Sequence, residues 1–172
     1  MSGFLYKWRY FFIGLLIFVV NLILKTWYLT ANDIGHDEPF TLFFAQGTPT
    51  EIIRNLIPYN NPPLYELLLH YWISIFGIDP FEARLFSCLI SCISAVVLFF
   101  IAKNFGNDRI GFFAVIVFTF STYQISFAHE ARAYSLFFLF SLCNMYYFIR
   151  LLDSSERKVK IGYIIFSILL LY

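Results

Sequence analysis

The sequence contains 172 residues, of which 60% are hydrophobic, 22% are aromatic and only 13% are charged. Soluble domains carry roughly 25% charged residues, and a chain of this length cannot bury so much apolar surface in its own core, so a soluble globular protein is excluded. The 12 Lys and Arg residues nearly balance the 11 Asp and Glu residues, which argues against nucleic acid as a partner. Because the apolar surface cannot be buried within the chain, it must be covered by membrane lipids.

The first predicted element is an apolar run at residues 10–29, which has the length of a helix that crosses a bilayer. Lys7 and Arg9 precede this run, and no small-residue cleavage site accompanies it, so we interpret it as a retained span with a cytoplasmic N-terminus. Lys25 falls in the last turn of the span. We expect its side chain to extend outward to the lipid headgroups rather than to act inside the helix bundle.

Residues 30–79 form a long segment between the first two spans and carry helix signals of their own. The run Thr48-Pro49-Thr50-Glu51 matches a capping box with proline at the first helical position, and Pro58 marks the end of the helical turns that follow. This pattern predicts a short helix that lies on the membrane surface.

A second short helix is predicted after Asn61, which is expected to be its cap, with Pro62 at the first helical position and Gly77 as its terminator. Its length of about 14 residues is too short to span the bilayer. Polar residues recur at every fourth position along one stripe, as expected of a helix in the interface: Glu66, His70 and Ser74.

Three further spans are predicted at about residues 80–102, 110–125 and 133–152, and another apolar run occupies residues 161–172. The last run is too short to cross a bilayer, so we expect residues 1–172 to be the N-terminal part of a longer transmembrane domain. A face of small residues favours close helix packing on the second span: Ser87, Ser91, Ser94 and Ala95. The predicted fold is an all-α polytopic membrane protein with about four complete transmembrane helices, a truncated fifth, and a large external loop bearing short interfacial helices.

The charged residues are distributed unequally about these spans. Counted from a cytoplasmic N-terminus, most basic residues fall inside: Lys7, Arg9, Lys103, Arg109, Arg150, Arg157, Lys158 and Lys160. Most acidic residues fall outside or at the outer boundary: Asp33, Asp37, Glu38, Glu51, Glu66, Asp79, Glu82 and Glu130. This asymmetry follows the positive-inside rule, and it predicts a multi-pass protein of the cell (inner) membrane with residues 30–79 outside.

The run Gly35-His36-Asp37-Glu38-Pro39 places two adjacent carboxylates just beyond the outer end of the first span. One interpretation is a solvated loop with two ordinary acids. The other is a general base that activates a hydroxyl or amide acceptor, while the second carboxylate positions substrate or binds a cation. A divalent cation held by Asp37, Glu38 and His36 is therefore a candidate cofactor.

A second polar cluster, His129-Glu130-Ala131-Arg132-Ala133-Tyr134, lies at the external start of the span at 133–152. Arg132 and Arg84 both lie near external helix N-termini, where free N–H groups favour anions, so the pair suits a phosphate. The alternative is that Glu130 and Arg132 pair with each other or face the headgroups.

Taken in order, these residues resemble the GT-C membrane glycosyltransferases. The resemblance consists of the Asp-Glu pair, the run Asn61-Pro-Pro-Leu-Tyr before a short helix ending in Phe-Gly, Arg84 near the start of the next span, and the run Glu-Ala-Arg-Ala-Tyr-Ser. The sequence is most similar to the branch related to dolichyl-phosphate-mannose protein mannosyltransferases and bacterial lipid A aminoarabinose transferases.

The resemblance implies an enzyme that takes a sugar from a polyprenyl-phosphate carrier on the external face and transfers it, usually with inversion, to a lipid, glycan or protein acceptor. Asp37 matches the acid of the first loop, with Glu38 as its neighbour. Some relatives carry an acid and a Lys before the loop proline, where this chain has Asn61 and Pro62, so Arg84 or Arg132 is expected to replace that Lys. The candidate substrate-binding residues are Asn61, Arg84, His129, Glu130, Arg132 and Tyr134.

A non-catalytic membrane component, such as a flippase or a scaffold, is the alternative function. A flippase is expected to carry charged residues along a path through the middle of its spans. In this sequence nearly all charges lie at the ends of the spans. The distribution favours the enzyme.

Overall fold

The computed structural model describes residues 2–31, 33–35, 37–59, 61–154 and 156–171, with side chains from Trp8 onward. In this part of the chain all regular structure is helical, which confirms the predicted fold class. The α-helices in chain order are α1 Ser2–Thr26, α2 Glu38–Ala45, α3 Pro49–Leu56, α4 Leu64–Phe76, α5 Pro80–Asn104, α6 Asp108–Phe120, α7 Thr122–Ala128, α8 Tyr134–Asp153 and α9 Arg157–Leu169.

Three of these helices are long and apolar enough to cross a membrane: Trp8–Thr26 within α1, all of α5, and all of α8. The α6–α7 pair becomes a fourth candidate span if its two parts are counted together. α5 lies at the centre of the bundle and contacts α1, α4, α6, α7 and α8. The predicted small-residue face of α5 is buried at each of its positions, so neighbouring helices approach it closely: Ser87, Ser91, Ser94 and Ala95.

The third predicted span is not one straight helix. α6 and α7 meet at Ser121 and differ in direction by 65°. Ser121 has the extended backbone angles φ −68° and ψ 122°, so it ends α6 and begins α7. The span predicted at residues 110–125 therefore corresponds to a bent pair of helices, which is one candidate span if α6 and α7 are counted together.

The expected position of Lys25 is also wrong. Its side chain is completely buried, with Nζ donating to Ser91 Oγ at 2.7 Å and lying 4.2 Å from the centre of the Phe118 ring. The side chain does not reach the headgroups because α5 and α6 cover this face of α1. A hydroxyl and an aromatic ring replace part of the hydration of the ammonium group.

The described part of the segment between α1 and α5 contains three α-helices rather than the two that were predicted, and a 3₁₀ helix at Ile57–Tyr59 follows α3. The capping box at the start of α3 is confirmed, since Thr48 Oγ1 accepts from the Glu51 N–H at 3.4 Å and Glu51 Oε2 accepts from the Thr48 N–H at 2.8 Å. α4 begins at Leu64 with Pro63 at its cap, so the expectation that Asn61 is the cap and Pro62 the first helical position is wrong.

The helix that sequence analysis missed is α2, which begins at Glu38. Proline in the first turn, here Pro39, is a typical signal of a helix start, and Asp37 occupies the cap position before it. α2 and α4 pack together over a shared apolar core whose buried members are Leu42, Ala45, Tyr65, Leu69, Ala83, Ile90, Ala131 and Leu136. This core fixes the start of α2 against the segment that leads into α8.

Candidate functional site

A buried ion pair joins Glu38 at the start of α2 to Arg84 in α5. Arg84 donates from one terminal nitrogen to Glu38 Oε2 at 2.7 Å and from Nε to Oε1 at 2.9 Å. The Arg84 and Glu38 side chains are only 4% and 3% exposed. A two-point bond of this kind fixes both the position and the orientation of the carboxylate.

Two backbone groups complete the surroundings of the Glu38 carboxylate. Oε1 also accepts from the Ala131 N–H at 2.8 Å, and Oε2 accepts from the Gly35 N–H at 3.3 Å. Burial alone would raise the pKa of Glu38, but the hydrogen bonds from Arg84, Ala131 and Gly35 outweigh it and hold that pKa below its ordinary value of 4.5. Glu38 is therefore an ionised, fully bonded anchor at neutral pH.

Arg84 also holds the chain that follows α1. Its terminal nitrogens donate to the carbonyl of Leu29 at 3.1 Å and to the carbonyl of Asp33 at 3.0 Å. Arg84 was expected to contact a phosphate at an external helix terminus. In the structure its guanidinium bonds to Glu38 and to these carbonyls, and Arg84 also belongs to the lining of the cavity described below.

Asp37, the residue before Glu38, has the opposite environment. Its side chain is 71% exposed, and its Oδ2 accepts from Arg132 at 3.3 Å. Arg132 is held from the other side by Thr41, whose hydroxyl accepts from the guanidinium at 3.0 Å. The expected alternative, a pair between Glu130 and Arg132, is not formed, because Asp37 is the ion-pair partner of Arg132.

The predicted site residues fall on two sides of the buried ion pair. A cavity of about 450 Å³ lies between the end of α1 and the bent helix α7, and its lining includes Glu38, Arg84, His129 and Glu130. Asp37, Arg132 and Tyr134 are absent from the described lining of that cavity. The Arg132 guanidinium lies 5.8 Å from the centre of the Tyr134 ring and bonds to Asp37. These three residues therefore form a second group, separate from the cavity lining.

His129 and Glu130 are held at the rim of the cavity. Nε2 of His129 donates to the carbonyl of Lys25 at 2.6 Å, and Glu130 Oε1 accepts from the Ser126 hydroxyl at 3.2 Å. Burial lowers the pKa of His129 below its ordinary value of 6.5, and the bond to Lys25 only partly opposes this change. His129 is therefore neutral at pH 7 and ties α1 to the end of α7.

Asn61 lies half-buried before α4 and forms no side-chain hydrogen bond within the described part of the chain. Among the described residues, no three His, Cys, Asp or Glu side chains come close enough to hold a metal ion. His36, the third residue of the candidate cation site, lies outside the described residues. Both Glu38 oxygens are already bonded to protein donors, which leaves Asp37 as the accessible acid of that trio.

Sequence analysis missed two groups that shape the site. Thr41 is completely buried and supports Arg132, and its position one helical turn after Asp37 was a usable signal once α2 was recognised. The Ala131 N–H binds Glu38 across 93 positions of sequence, and no local pattern indicates such a contact.

Comparison with known protein families gives one match. The family described as dolichyl-phosphate-mannose-protein mannosyltransferase matches residues 60–171, which is more than half of the chain. Neither the curated proteins nor the solved structures give a match. The chain therefore belongs to this GT-C family of membrane glycosyltransferases, which use a lipid-linked sugar.

Proposed function

We propose that this protein transfers a sugar from a polyprenyl-phosphate carrier to an acceptor on the external face of the membrane, with Asp37 as the general base. The observation that carries the proposal is the contrast between adjacent acids. Glu38 is buried and saturated with donors, whereas Asp37 is exposed and makes a single ion pair with Arg132. Of the two carboxylates, Asp37 is the largely exposed one, and its oxygens are less occupied by protein donors than those of Glu38.

In the proposed reaction the acceptor hydroxyl attacks the anomeric carbon of the donor sugar as Asp37 removes its proton. A carbon–oxygen bond to the acceptor forms, and the bond from the sugar to the phosphate oxygen breaks. The leaving group is the polyprenyl phosphate, which keeps the electron pair. Attack from the face opposite the phosphate inverts the anomeric configuration.

Arg132 is the residue we assign to the phosphate. Its three hydrogen bonds, to the Asp37 carbonyl, the Asp37 carboxylate and Thr41, involve only the two terminal nitrogens. A guanidinium has five N–H donors, so donors remain for an anion. A cation beside the leaving phosphate stabilises the charge that develops there, and Asp37 and Thr41 hold this cation in advance of the reaction.

The proposed orientation rests on the two ends of the bundle. Arg9 and Lys103 pair with Asp108 at one end, whereas Asp37, Glu38 and the loop acids lie at the other. Under the positive-inside rule the basic end faces the cytoplasm, which places the Asp37–Arg132 pair outside.

The alternative function, a flippase, would need charged residues within its spans, and the completely buried Lys25 is a charged residue of this kind. A transport path requires charged groups that line an accessible route. Lys25 has no exposed surface and is enclosed by Ser91 and Phe118, so it lines no open route. Its enclosure supports a structural role and leaves the enzyme as the better proposal.

The test of the proposed function is Asp37→Asn in the full-length protein, assayed for sugar release from dolichyl-phosphate mannose in membranes. Loss of the base is expected to lower transfer by about 10² or more, with normal membrane insertion. Asp79→Asn is the matched control, because Asp79 is an exposed acid at a helix start whose side chain forms no cap hydrogen bond. Unchanged transfer in Asp37→Asn would reject Asp37 as the base.

A further inference from the structure

A groove of about 510 Å³ lies between α1 and α5, and its described lining contains none of the candidate site residues. The lining is apolar and aromatic, and it includes Tyr10, Gly14, Phe18, Ile93, Val96 and Phe100. Ile93 on its rim is exposed. An open apolar groove on a transmembrane bundle is covered either by lipid or by another helix, so the groups around it decide which occupant fits.

Gly14 determines the depth of the groove. A Cβ placed at Gly14 would lie 3.4 Å from Val96 Cγ1 and 3.6 Å from Phe100 Cε2, so the backbone of α1 comes close to α5 at this point. Alanine would fit there in ordinary contact. The longer side chain of leucine would extend into the groove and occupy it.

A cluster of charged residues lies at the end of the groove that Tyr10 lines. Nζ of Lys103 lies 3.0 Å from the centre of the Tyr10 ring, and the Tyr10 hydroxyl donates to Asp108 Oδ1 at 3.0 Å. Arg9 donates to the same carboxylate at 2.7 Å, and Lys103 lies 3.9 Å from it. Two cations therefore share one acid, which leaves an excess of positive charge beside an apolar groove.

Arg9 keeps donors for an anion. In the described part of the chain its guanidinium donates one hydrogen bond, from a terminal nitrogen to Asp108. A guanidinium has five N–H donors. The Arg9 side chain is also 59% exposed, so the remaining donors are accessible to a ligand at the mouth of the groove.

The length of the groove matches one leaflet of a bilayer. Trp8, a residue type enriched at the boundary between membrane and water, is exposed at the charged end. From Tyr10 to Phe18 an α-helix rises about 12 Å, compared with about 15 Å for half of the hydrocarbon core. The described lining on α1 ends at Phe18, and beyond it Lys25 bonds to Ser91 and joins α1 to α5.

We propose that this groove binds an anionic phospholipid of the cytoplasmic leaflet, with its phosphate beside Arg9 and Lys103 and one acyl chain along Gly14 and Phe100. The excess positive charge favours this occupant. A covering helix would have to bring an acid to these cations, whereas a phospholipid brings a phosphate together with its chain. Anionic lipids are concentrated in the cytoplasmic leaflet, where the proposed orientation places this end of the bundle.

The test compares two lipids with the same acyl chains and different headgroups. Native mass spectrometry of the full-length protein measures the dissociation constants of palmitoyl-oleoyl phosphatidylglycerol, which is anionic, and palmitoyl-oleoyl phosphatidylcholine, which has no net charge. One basic residue near an anionic lipid changes affinity about five-fold, corresponding to about 1 kcal/mol. We expect wild type to prefer the anionic lipid by about ten- to thirty-fold, and Arg9→Gln to lower this preference about five-fold. Arg9→Lys keeps the charge and should keep most of the preference.

Arg150→Gln is the matched control for the headgroup. Arg150 is an exposed cation in the last turn of α8, which the proposed orientation also places on the cytoplasmic side, and α8 contributes no residue to the described lining of the groove. This variant should keep the preference of wild type.

The acyl chain is tested by filling the groove. Gly14→Leu should weaken the binding of both lipids by about ten-fold, because its side chain displaces the acyl chain from apolar surface. Gly14→Ala is the control and should bind both lipids as wild type does, since its Cβ makes only ordinary contacts. The headgroup comparison stands without these variants, so it decides the proposal even if Gly14→Leu does not fold.

Four outcomes would overturn the inference. They are equal dissociation constants of the two lipids in wild type, a preference that persists in Arg9→Gln, a preference lost equally in Arg150→Gln, and unchanged binding in folded Gly14→Leu. A wild-type dimer that Gly14→Leu dissociates would assign the groove to a second copy of the chain instead. None of these results concerns Asp37, so the proposed function would stand or fall separately.

Discussion

The two ion pairs at the same end of the bundle differ in almost every respect, although their acids are adjacent in sequence. Glu38 and Arg84 are buried, bonded at two points and surrounded by backbone groups. The Asp37 carboxylate meets the Arg132 guanidinium at one point, at 3.3 Å, and the two side chains are 71% and 19% exposed. The first pair has the features of a structural bond and the second those of a site that remains open to ligands.

This difference shows how the fold gives two neighbouring acids opposite environments. The start of α2 turns Glu38 inward to the start of α5 and leaves Asp37 outward beside Arg132. Because Glu38 is fixed at both oxygens, the backbone of Asp37 is fixed as well. A rigid neighbour is what a positioned base requires.

The largest expected effect is an all-or-none labelling pattern, because the proposed orientation puts both ion pairs on the external side of the membrane. In a background without Cys88, Cys92 and Cys143, a cysteine at Thr50 is expected to react with an impermeant maleimide added to intact cells. A cysteine at Arg109, which is exposed at the opposite end, should react only after the membrane is opened. The reverse pattern would place both ion pairs inside and contradict the proposed orientation.

The next effect is on stability and concerns the buried pair. Arg84→Gln leaves the Glu38 carboxylate buried without its cation and should reduce the free energy of unfolding by about 3–5 kcal/mol. Thermal unfolding in detergent measures this loss, with Arg109→Gln as an exposed control of the same chemistry. A loss as small as that of the control would mean that the pair is not a structural bond.

The buried pair should also make stability depend on pH. Because the pKa of Glu38 is held below 4.5, its contribution is present above that value and is lost as the pH falls through the lower pKa of the folded state. Wild type should therefore lose stability on acidification by more than Glu38→Gln does. Parallel pH profiles for the two proteins would contradict the lowered pKa.

The exposed pair should respond to substitution in binding rather than in stability. Arg132→Gln is expected to weaken the affinity for dolichyl phosphate by about ten- to one hundred-fold, and to change the free energy of unfolding by only about 0–1 kcal/mol. Arg132→Lys keeps the charge without the planar fork and should be intermediate. Equal affinities in wild type and Arg132→Gln would end the assignment of the phosphate to Arg132.

The smallest effect is expected at Thr41, which supports Arg132 through one neutral acceptor. Thr41→Val preserves shape and removes the hydroxyl, so it should weaken dolichyl phosphate binding by only a few-fold, corresponding to about 0.5–1.5 kcal/mol. Thr26→Val is a comparable control, because Thr26 bonds only to the backbone of its own helix. A Thr41 variant as impaired as Arg132→Gln would mean that Thr41 itself binds the ligand.

The sequence was most informative where local chemistry decides the structure. The capping box of Thr48 and Glu51 and the span at α8 were predicted correctly, because caps and apolar length depend on neighbouring residues. The bend at Ser121 was missed because the residues on both sides of it are apolar. Hydropathy does not indicate where the axis of a helix changes direction.

Contacts between distant residues could not be predicted in the same way. Lys25 looked like any cation at the end of a span until α5 and α6 were placed against it. The roles of Glu38 and Asp37 were indistinguishable in sequence, because they depend on Arg84 and Arg132, which lie 46 and 95 positions away. The family resemblance pointed to both acids as candidates, and only the packing of α2 distinguished their environments.

The central claim is that Asp37 performs the chemistry and Glu38 holds the fold. It is tested most directly by measuring sugar transfer and thermal unfolding on the same preparations of full-length wild type, Asp37→Asn and Glu38→Gln. Asp37→Asn should lose transfer by about 10² or more with stability within about 1 kcal/mol of wild type, whereas Glu38→Gln should lose stability and keep more transfer per folded molecule. The opposite pattern, with an active Asp37→Asn and a stable but inactive Glu38→Gln, would contradict the account.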